Sequence, residues 1–150
     1  MPSNLYGPND NYNLQSSHVL AAFIRRFHIA KVNGDPAITL WGTGTPMREF
    51  LHADDLADAC LFLMERYESP EIINIGVGAD LTIRDLATLV ARVVGFSGEI
   101  VFDPTKLDGT PRKLLDVSRL HGLGWKAGIP LEKGVAKVYE EVDKSNWTSE

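Results

Sequence analysis

The sequence predicts an α/β fold, built as part of a sheet with appended helices and not as a complete doubly wound domain. Three observations carry this reading. Segments with strand and helix patterning alternate along the chain, the mark of α/β architectures. The strand segments are few and short. No G-x-G-x-x-G or G-x-x-G-x-x-G follows a strand, so a phosphate-cradling dinucleotide turn is missing. Gly42-x-Gly44 leads into extended chain and not into a helix, so it is not that fingerprint.

Taken in order, Pro2 to Pro8 reads as the end of a short strand running into a turn, a start that hints at the latter part of something longer. Residues 7–17 are rich in Gly, Pro, Asn, Asp and Ser and form a loop, in which Ser16 or Ser17 is a candidate cap for the next helix. That helix runs from about His18 to Lys31, with Leu20, Phe23, Phe27 and Ala30 as its buried stripe. Asn33-Gly34-Asp35-Pro36 ends it. Ala37 to Trp41 is a short strand, residues 42–46 a tight turn, and Met47 to His52 is extended. Asp54-Asp55 opens a second helix, acidic at its positive end. Leu56, Ala59, Cys60, Leu63 and Tyr67 line its apolar stripe, and Cys60 is expected in the core. Glu71 to Gly76 reads as a strand buried on both faces because of Ile72, Ile73 and Ile75.

Thr82 with Asp85 resembles a capping box with Asp replacing Glu. Ile83, Leu86, Ala87, Val90 and Val93 face inward on the helix that follows, and Gly95 ends it. Glu99 to Phe102 is a strand and residues 103–113 a polar loop. Asp116 is placed to cap a short helix through Leu120. A last helix starts near Leu131, with Val135, Val138, Tyr139 and Val142 inside, and the tail beyond Lys144 is expected to fray. No internal repeat or low-complexity segment interrupts this order.

A chain of 150 residues suffices for one domain with a real core. With 44% hydrophobic and 23% charged residues it has an ordinary globular composition. The net charge of −5 disfavours a nucleic-acid partner while leaving room for a local basic site. A single cysteine, Cys60, allows no internal disulfide, as suits a reducing compartment. No apolar run has the length of a membrane span, and no signal peptide is legible after Met1. The expectation is a soluble cytoplasmic protein with no membrane partner.

The chemistry-bearing groups gather between Asn11 and Arg48. At about 100° per residue His18 and Arg25 lie roughly 20° apart on one helix face, with Arg26 about 80° from His18. Histidine has a near-neutral intrinsic pKa suited to a general acid, although an arbitrary histidine at a helix start is more often a cap. Arg25, Arg26 and Arg48 carry forked guanidinium groups suited to phosphate oxygens. Singly, such residues are usually solvated, but three near a Trp-Gly turn shift the balance. Trp41 is either a core residue or a stacking surface for a base or sugar. No His, Cys and Asp spacing builds a metal site.

Asn4-Leu5-Tyr6-Gly7-Pro8, Gly42-Thr43-Gly44 and Arg48-Glu49-Phe50-Leu51-His52-Ala53-Asp54-Asp55-Leu56-Ala57 resemble the extended short-chain dehydrogenase/reductase superfamily of nucleotide-sugar enzymes. Asp10-Asn11-Tyr12-Asn13, Ser17-His18-Val19, Trp41 to Phe50 and Asp108-Gly109-Thr110-Pro111-Arg112-Lys113 resemble the GDP-L-fucose synthase family within it. The resemblance covers the whole chain. It implies the C-terminal part of an extended short-chain dehydrogenase: the last Rossmann strands plus the small mixed α/β substrate-binding domain. It also implies an NADPH-dependent activity, 3,5-epimerisation and 4-reduction of GDP-4-keto-6-deoxy-D-mannose. On that resemblance His18 is the acid. Pro2, Ser3, Asn4, Leu5 and His18 lie by the nicotinamide end of NADP(H). Arg26, Trp41, Arg48 and Asp108 bind the GDP-sugar, and Arg25 and Lys113 are neighbours without a role carried over. The family's glycine-rich turn, catalytic Ser, Cys base and Tyr-x-x-x-Lys pair have no counterpart in residues 1–150, so the chain is expected to be inactive alone. A homodimer is implied for the full-length enzyme. Three readings compete: another nucleotide-sugar epimerase or dehydratase, a non-catalytic nucleotide-sugar binding module, and a fragment that folds poorly for want of strand partners.

Overall fold

The computed structural model describes residues 1–147. The chain runs β1 (Asn4–Tyr6), α1 (Val19–Asn33), β2 (Ala37–Trp41), β3 (Met47–Arg48), β4 (Phe50–His52), α2 (Ala53–Arg66), β5 (Leu81–Thr82), α3 (Ile83–Val94), β6 (Glu99–Asp103), β7 (Arg112–Lys113), α4 (Ser118–Gly122) and α5 (Leu131–Glu141). Three small sheets result. β1 and β4 pair in parallel, with Asn4 opposite Phe50 and Tyr6 opposite His52. β2 and β6 also pair in parallel, Ala37 to Trp41 matching Glu99 to Asp103. β3 lies between β5, antiparallel to it, and β7, parallel to it.

The larger core joins α1, α3 and α5 to β2, with Phe27, Ile24, Leu40, Leu86, Val90, Val135 and Val138 essentially solvent-free. Fully burying one such side chain stabilises the fold by about 1.5–3 kcal/mol. A second cluster gathers Leu51, Ala59, Ile75, Leu120 and Trp125. β4 separates the two. Its three residues are all buried, and alternation sends Phe50 into the first cluster and Leu51 into the second.

Helix ends follow the sequence closely. Gly34 and Gly95 close α1 and α3 in the left-handed region, at φ 72° and 81°. Thr82 caps α3 through Asp85 N–H at 3.0 Å and donates its hydroxyl back to the Asp85 carboxylate at 2.6 Å. Asp116 accepts from Ser118 N–H at the start of α4. α1, by contrast, has no side-chain cap: its capping residue is His18, not Ser16 or Ser17, and the Ser17 hydroxyl is buried without a partner among the described residues.

Three further expectations are overturned. Residues 71–76 form no strand. The segment's β contact is a single bridge from Ile75 to Pro2, with Ser3 N–H donating to Ile75 O and Ile75 N–H to Met1 O. Ile72 is 81% exposed, because the segment leaves α2 through a turn in which the Tyr67 hydroxyl donates to the Glu71 carbonyl. Cys60 is exposed. The buried centre of α2 is at Asp55 and Ala59, and Cys60 sits about 100° round from Ala59. The tail does not fray at Lys144: Trp147 packs against Tyr12 and His28, at ring distances of 5.2 and 5.5 Å. Residues 148–150 lie outside the described residues. Among the described residues no helix is long and apolar enough to cross a membrane.

Candidate functional site

A cleft of about 790 Å³ opens where the loop after β1 meets the start of α1. Its walls include Ser3, Asn4 and Leu5, then His18 at the head of α1, and Arg48 and Lys113 from two adjacent strands. The parallel register of β3 and β7 sets Arg48 directly beside Lys113. The two cations therefore stand on neighbouring strands, and neither is ion-paired to a carboxylate among the described residues. Such a pair suits a polyanion, and one with a diphosphate's spread of charge uses both.

His18 is exposed and holds no hydrogen bond through its ring among the described residues, so the imidazole is open to a bound molecule. Its position is fixed by the backbone, since His18 O accepts from Ala22 N–H at 2.9 Å. The loop leading to it is tied down by the Tyr12 hydroxyl donating to Gly7 O at 2.9 Å and by Arg25 Nη1 donating to Tyr12 O at 3.2 Å. Arg25 shares the helix face of His18 but does not line the cleft. Its guanidinium organises the loop.

The other expected residues are not part of the cleft lining. Ala37, Thr39 and Trp41 are the exposed positions of β2. Arg26 reaches that strand and donates from Nη2 to Thr39 O at 2.7 Å, and burial pulls its guanidinium pKa below the ordinary value. Trp41 is not a core residue: it is 72% exposed, with Lys106 Nζ 5.8 Å from its ring centroid. Asp108 accepts from Thr43 N–H at 2.9 Å and from the Thr43 hydroxyl at 2.6 Å, and these bonds hold its carboxyl below the usual carboxylate range. Arg48 reaches the loop that carries Asp108, for a Cβ placed on Gly109 would come within 3.2 Å of its Nη2.

His18, Ser3, Asn4, Leu5 and Arg48 thus share one cleft, while Arg26, Trp41, Asp108 and Pro2 are outside its lining, Pro2 pairing with Ile75. Two residues essential to this geometry carried no role in the sequence. Lys113 looked like the end of a surface loop, and only the register with Arg48 brings it to the cleft. Glu49 is fully buried, accepting from Gly78 N–H at 2.6 Å and Leu115 N–H at 3.2 Å, while its backbone carbonyl takes the Asn4 amide at 2.7 Å. Its place in an Arg-Glu-Phe run, where strand alternation puts it opposite to its neighbours, was the available signal.

Residues 1–76 match the NAD dependent epimerase/dehydratase family, and the chain belongs to it. The chain is 58% identical over 140 residues to GDP-L-fucose synthase 1 of Arabidopsis thaliana, covering 93% of this chain and 43% of that protein. It is 52% identical to the GDP-L-fucose synthase of Escherichia coli strain K12, with 93% and 46% covered. A GDP-L-fucose synthetase from Naegleria fowleri, solved also with NADP bound, superimposes with a TM-score of 0.87 at 30% identity, over 93% of this chain and 44% of that one. A GDP-mannoheptose C4 reductase from Campylobacter jejuni with NADP bound gives 0.80 at 35%, with 93% and 50% covered. The fold is therefore that of part of an extended short-chain dehydrogenase, as the sequence motifs implied. The chain spans less than half the length of these curated relatives.

Proposed function

We propose that this chain is the C-terminal, substrate-binding portion of an NADP(H)-dependent epimerase-reductase that makes GDP-L-fucose from GDP-4-keto-6-deoxy-D-mannose, the dinucleotide-binding part lying outside residues 1–150. The observation that carries the proposal is the single cleft shared by His18, Arg48 and Lys113. The 52–58% identity to GDP-L-fucose synthases supports it. The same resemblance extends the proposal to a cytoplasmic enzyme working as a homodimer.

The chemistry follows from the substrate. C3 and C5 both flank the C4 carbonyl, so a proton lost from either leaves an enolate. Inversion requires a proton returned to the carbon from the opposite side. In this reading His18 is the acid that delivers it, and a base from outside this chain removes the first proton. Arg48 and Lys113 hold the diphosphate, while Arg26, Trp41 and Asp108 bind the nucleoside and sugar. Positioning of this kind is what lets a general acid contribute.

The cleft wall also fits the nicotinamide end of NADP(H). The Ser3 hydroxyl is buried without a partner among the described residues, and Ser3, Asn4 and Leu5 present a mixed polar and apolar surface beside His18. Ser3, Asn4, Leu5 and His18 are the residues of this chain that would hold it, whereas Pro2, bridged to Ile75, stands outside the cleft lining. Bound there, the cofactor would supply the hydride that reduces the C4 ketone.

The test joins this chain behind the dinucleotide-binding half of the Escherichia coli relative and follows NADPH oxidation with the keto sugar. His18→Gln is expected to slow epimerisation by roughly 10²–10⁴-fold, the usual scale for a lost general acid. Solvent-deuterium uptake at C3 and C5 at equal rates in His18→Gln and its parent overturns the assignment. Tighter binding of UDP-sugars than GDP-sugars overturns the substrate.

A further inference from the structure

Asp108 stands in a loop whose residues 104–111 are all exposed, yet its carboxylate has little freedom. Oδ1 accepts the Thr43 N–H and Oδ2 the Thr43 hydroxyl. Because the single Thr43 hydroxyl proton goes to Asp108, the 2.7 Å contact between Thr43 Oγ1 and Thr45 Oγ1 is a bond donated by Thr45. Gly42, at φ 83°, completes the fit, since a Cβ there would overlap Asp108 Oδ1.

Thr43 is braced in turn. Its carbonyl accepts from Arg84 Nη2 at 2.7 Å, and the Arg84 guanidinium lies 4.1 Å from the centre of the Phe102 ring. The backbone at the head of α3 holds the rest of the turn, with Arg84 N–H donating to Gly44 O and Ile83 N–H to Pro46 O, both at 2.9 Å. Gly44 must stay bare because a Cβ would press on the same Phe102 ring. Arg84 thus gives one guanidinium N–H to the Thr43 carbonyl and lays its flat face on Phe102.

We propose that Thr43 and Arg84 are positioning residues for nucleotide-sugar recognition: Arg84 fixes Thr43, and Thr43 aims the Asp108 carboxylate at sugar hydroxyls bound beside the exposed Trp41 ring. This rests on the reading that Asp108 and Trp41 contact the substrate. Each Asp108 oxygen keeps acceptor capacity after its bond to Thr43, so the carboxylate can take a pair of neighbouring hydroxyls with no rearrangement. Pre-set acceptors of this kind bind without the cost of ordering a loop.

The experiment compares Thr43→Val, Thr43→Ser, Arg84→Met and Asp108→Asn in the 150-residue chain with two readouts. The first is titration of the Asp108 carboxyl by carbon-detected NMR. The second is the dissociation constant for GDP-mannose by calorimetry. Thr43→Val is expected to move the Asp108 titration up toward the ordinary carboxylate range and weaken GDP-mannose about tenfold, with Thr43→Ser close to the parent. Arg84→Met is expected to give an intermediate weakening. An Asp108 titration unchanged by Thr43→Val overturns the proposal. A shifted titration together with parental affinity in Asp108→Asn removes the substrate role of Asp108, and the recognition role of Thr43 with it. A parent that binds no GDP-mannose refutes the substrate reading alone, since the titration still decides whether Thr43 aims the carboxylate.

Discussion

Replacing Glu49 by Gln changes one atom of a fully buried side chain and tests how the cation pair is held in register. The carboxylate takes Gly78 N–H with Oε1 and Leu115 N–H with Oε2. An amide has one acceptor oxygen, so one of these N–H groups must face an NH₂ donor. At Gly78 a charge-assisted bond becomes a neutral one, a loss of about 1 kcal/mol, and at Leu115 a bond is lost and a buried donor stranded, about 2 kcal/mol more. The sum of ~3 kcal/mol converts to a fall in Tm of roughly 6–12 °C for a chain of this size. Turning the amide over exchanges the two sites without rescuing both. Thermal unfolding followed by circular dichroism measures the effect at neutral pH. Leu115 lies two residues beyond Lys113, so the same change should loosen the strand that sets Lys113 beside Arg48. A fall in Tm below about 2 °C, less than 1 kcal/mol on the same scale, refutes the view that two backbone amides depend on this carboxylate.

Arg48→Ala should weaken GDP-mannose by about 10- to 100-fold, the value of charge-assisted bonds to phosphate; calorimetric affinity equal to the parent's counts against the phosphate role. Arg112 holds Asp80 through two bonds, at 2.6 and 3.2 Å, and keeps its carboxyl below the usual range. That stabilisation is complete above the ordinary aspartate pKa near 4 and is lost as pH falls through the lowered value in the fold. The Tm gap between parent and Arg112→Ala should accordingly be present at pH 7 and close toward pH 2, and a gap that stays constant contradicts the pairing. Burial, then the charges of Lys144 and Lys31, push the His28 imidazole below its ordinary value. Its neutral form is favoured in the fold, so its contribution is present above about pH 6.5 and declines as pH falls toward the lowered value. Trp147→Ala exposes the ring and should raise the His28 value in an imidazole NMR titration; no movement would mean the tail is not docked there.

The parts of the fold legible in the sequence are those decided by neighbours in the chain. Leu20, Phe23, Phe27 and Ala30 recur at helical spacing, and Gly34 supplies the left-handed residue that ends α1, so its bounds were readable within a residue or two. The Thr82 cap is likewise a matter of three residues. What failed depends on which surface a distant segment offers. Ile72, Ile73 and Ile75 carry a strand's composition, but Met1 to Ser3 meet the segment through the Met1 amino group on Ile73 O and a single bridge at Ile75, too little to make a ladder. Cys60 shares its spacing with Leu56 and Leu63, yet the face of α2 that turns inward is set by what it meets. Asp55 is drawn in because Gly128 and Ile129 N–H groups wait for its carboxylate, at 3.0 Å each.

The same division runs through the candidate site. His18 and the arginines drew attention by residue type, and a helical wheel put His18 and Arg25 together. Arg25 turns instead to the Tyr12 carbonyl, and Arg48 and Lys113, the cations that line the cleft, come from β3 and β7. The distance in sequence between Arg48 and Lys113 is 65 residues, and only β pairing collapses it. A binding group made from one helix can be found by periodicity. A binding group made across a parallel pair is invisible until register is known, and register here is held by a third residue, Glu49, whose own side chain points away from the cleft into the core. Chemistry that depends on the Arg48–Lys113 pair therefore inherits the sensitivity of that buried carboxylate, and substitutions at Glu49, Gly76 or Gly78 should disturb anion binding without touching a group that contacts the anion.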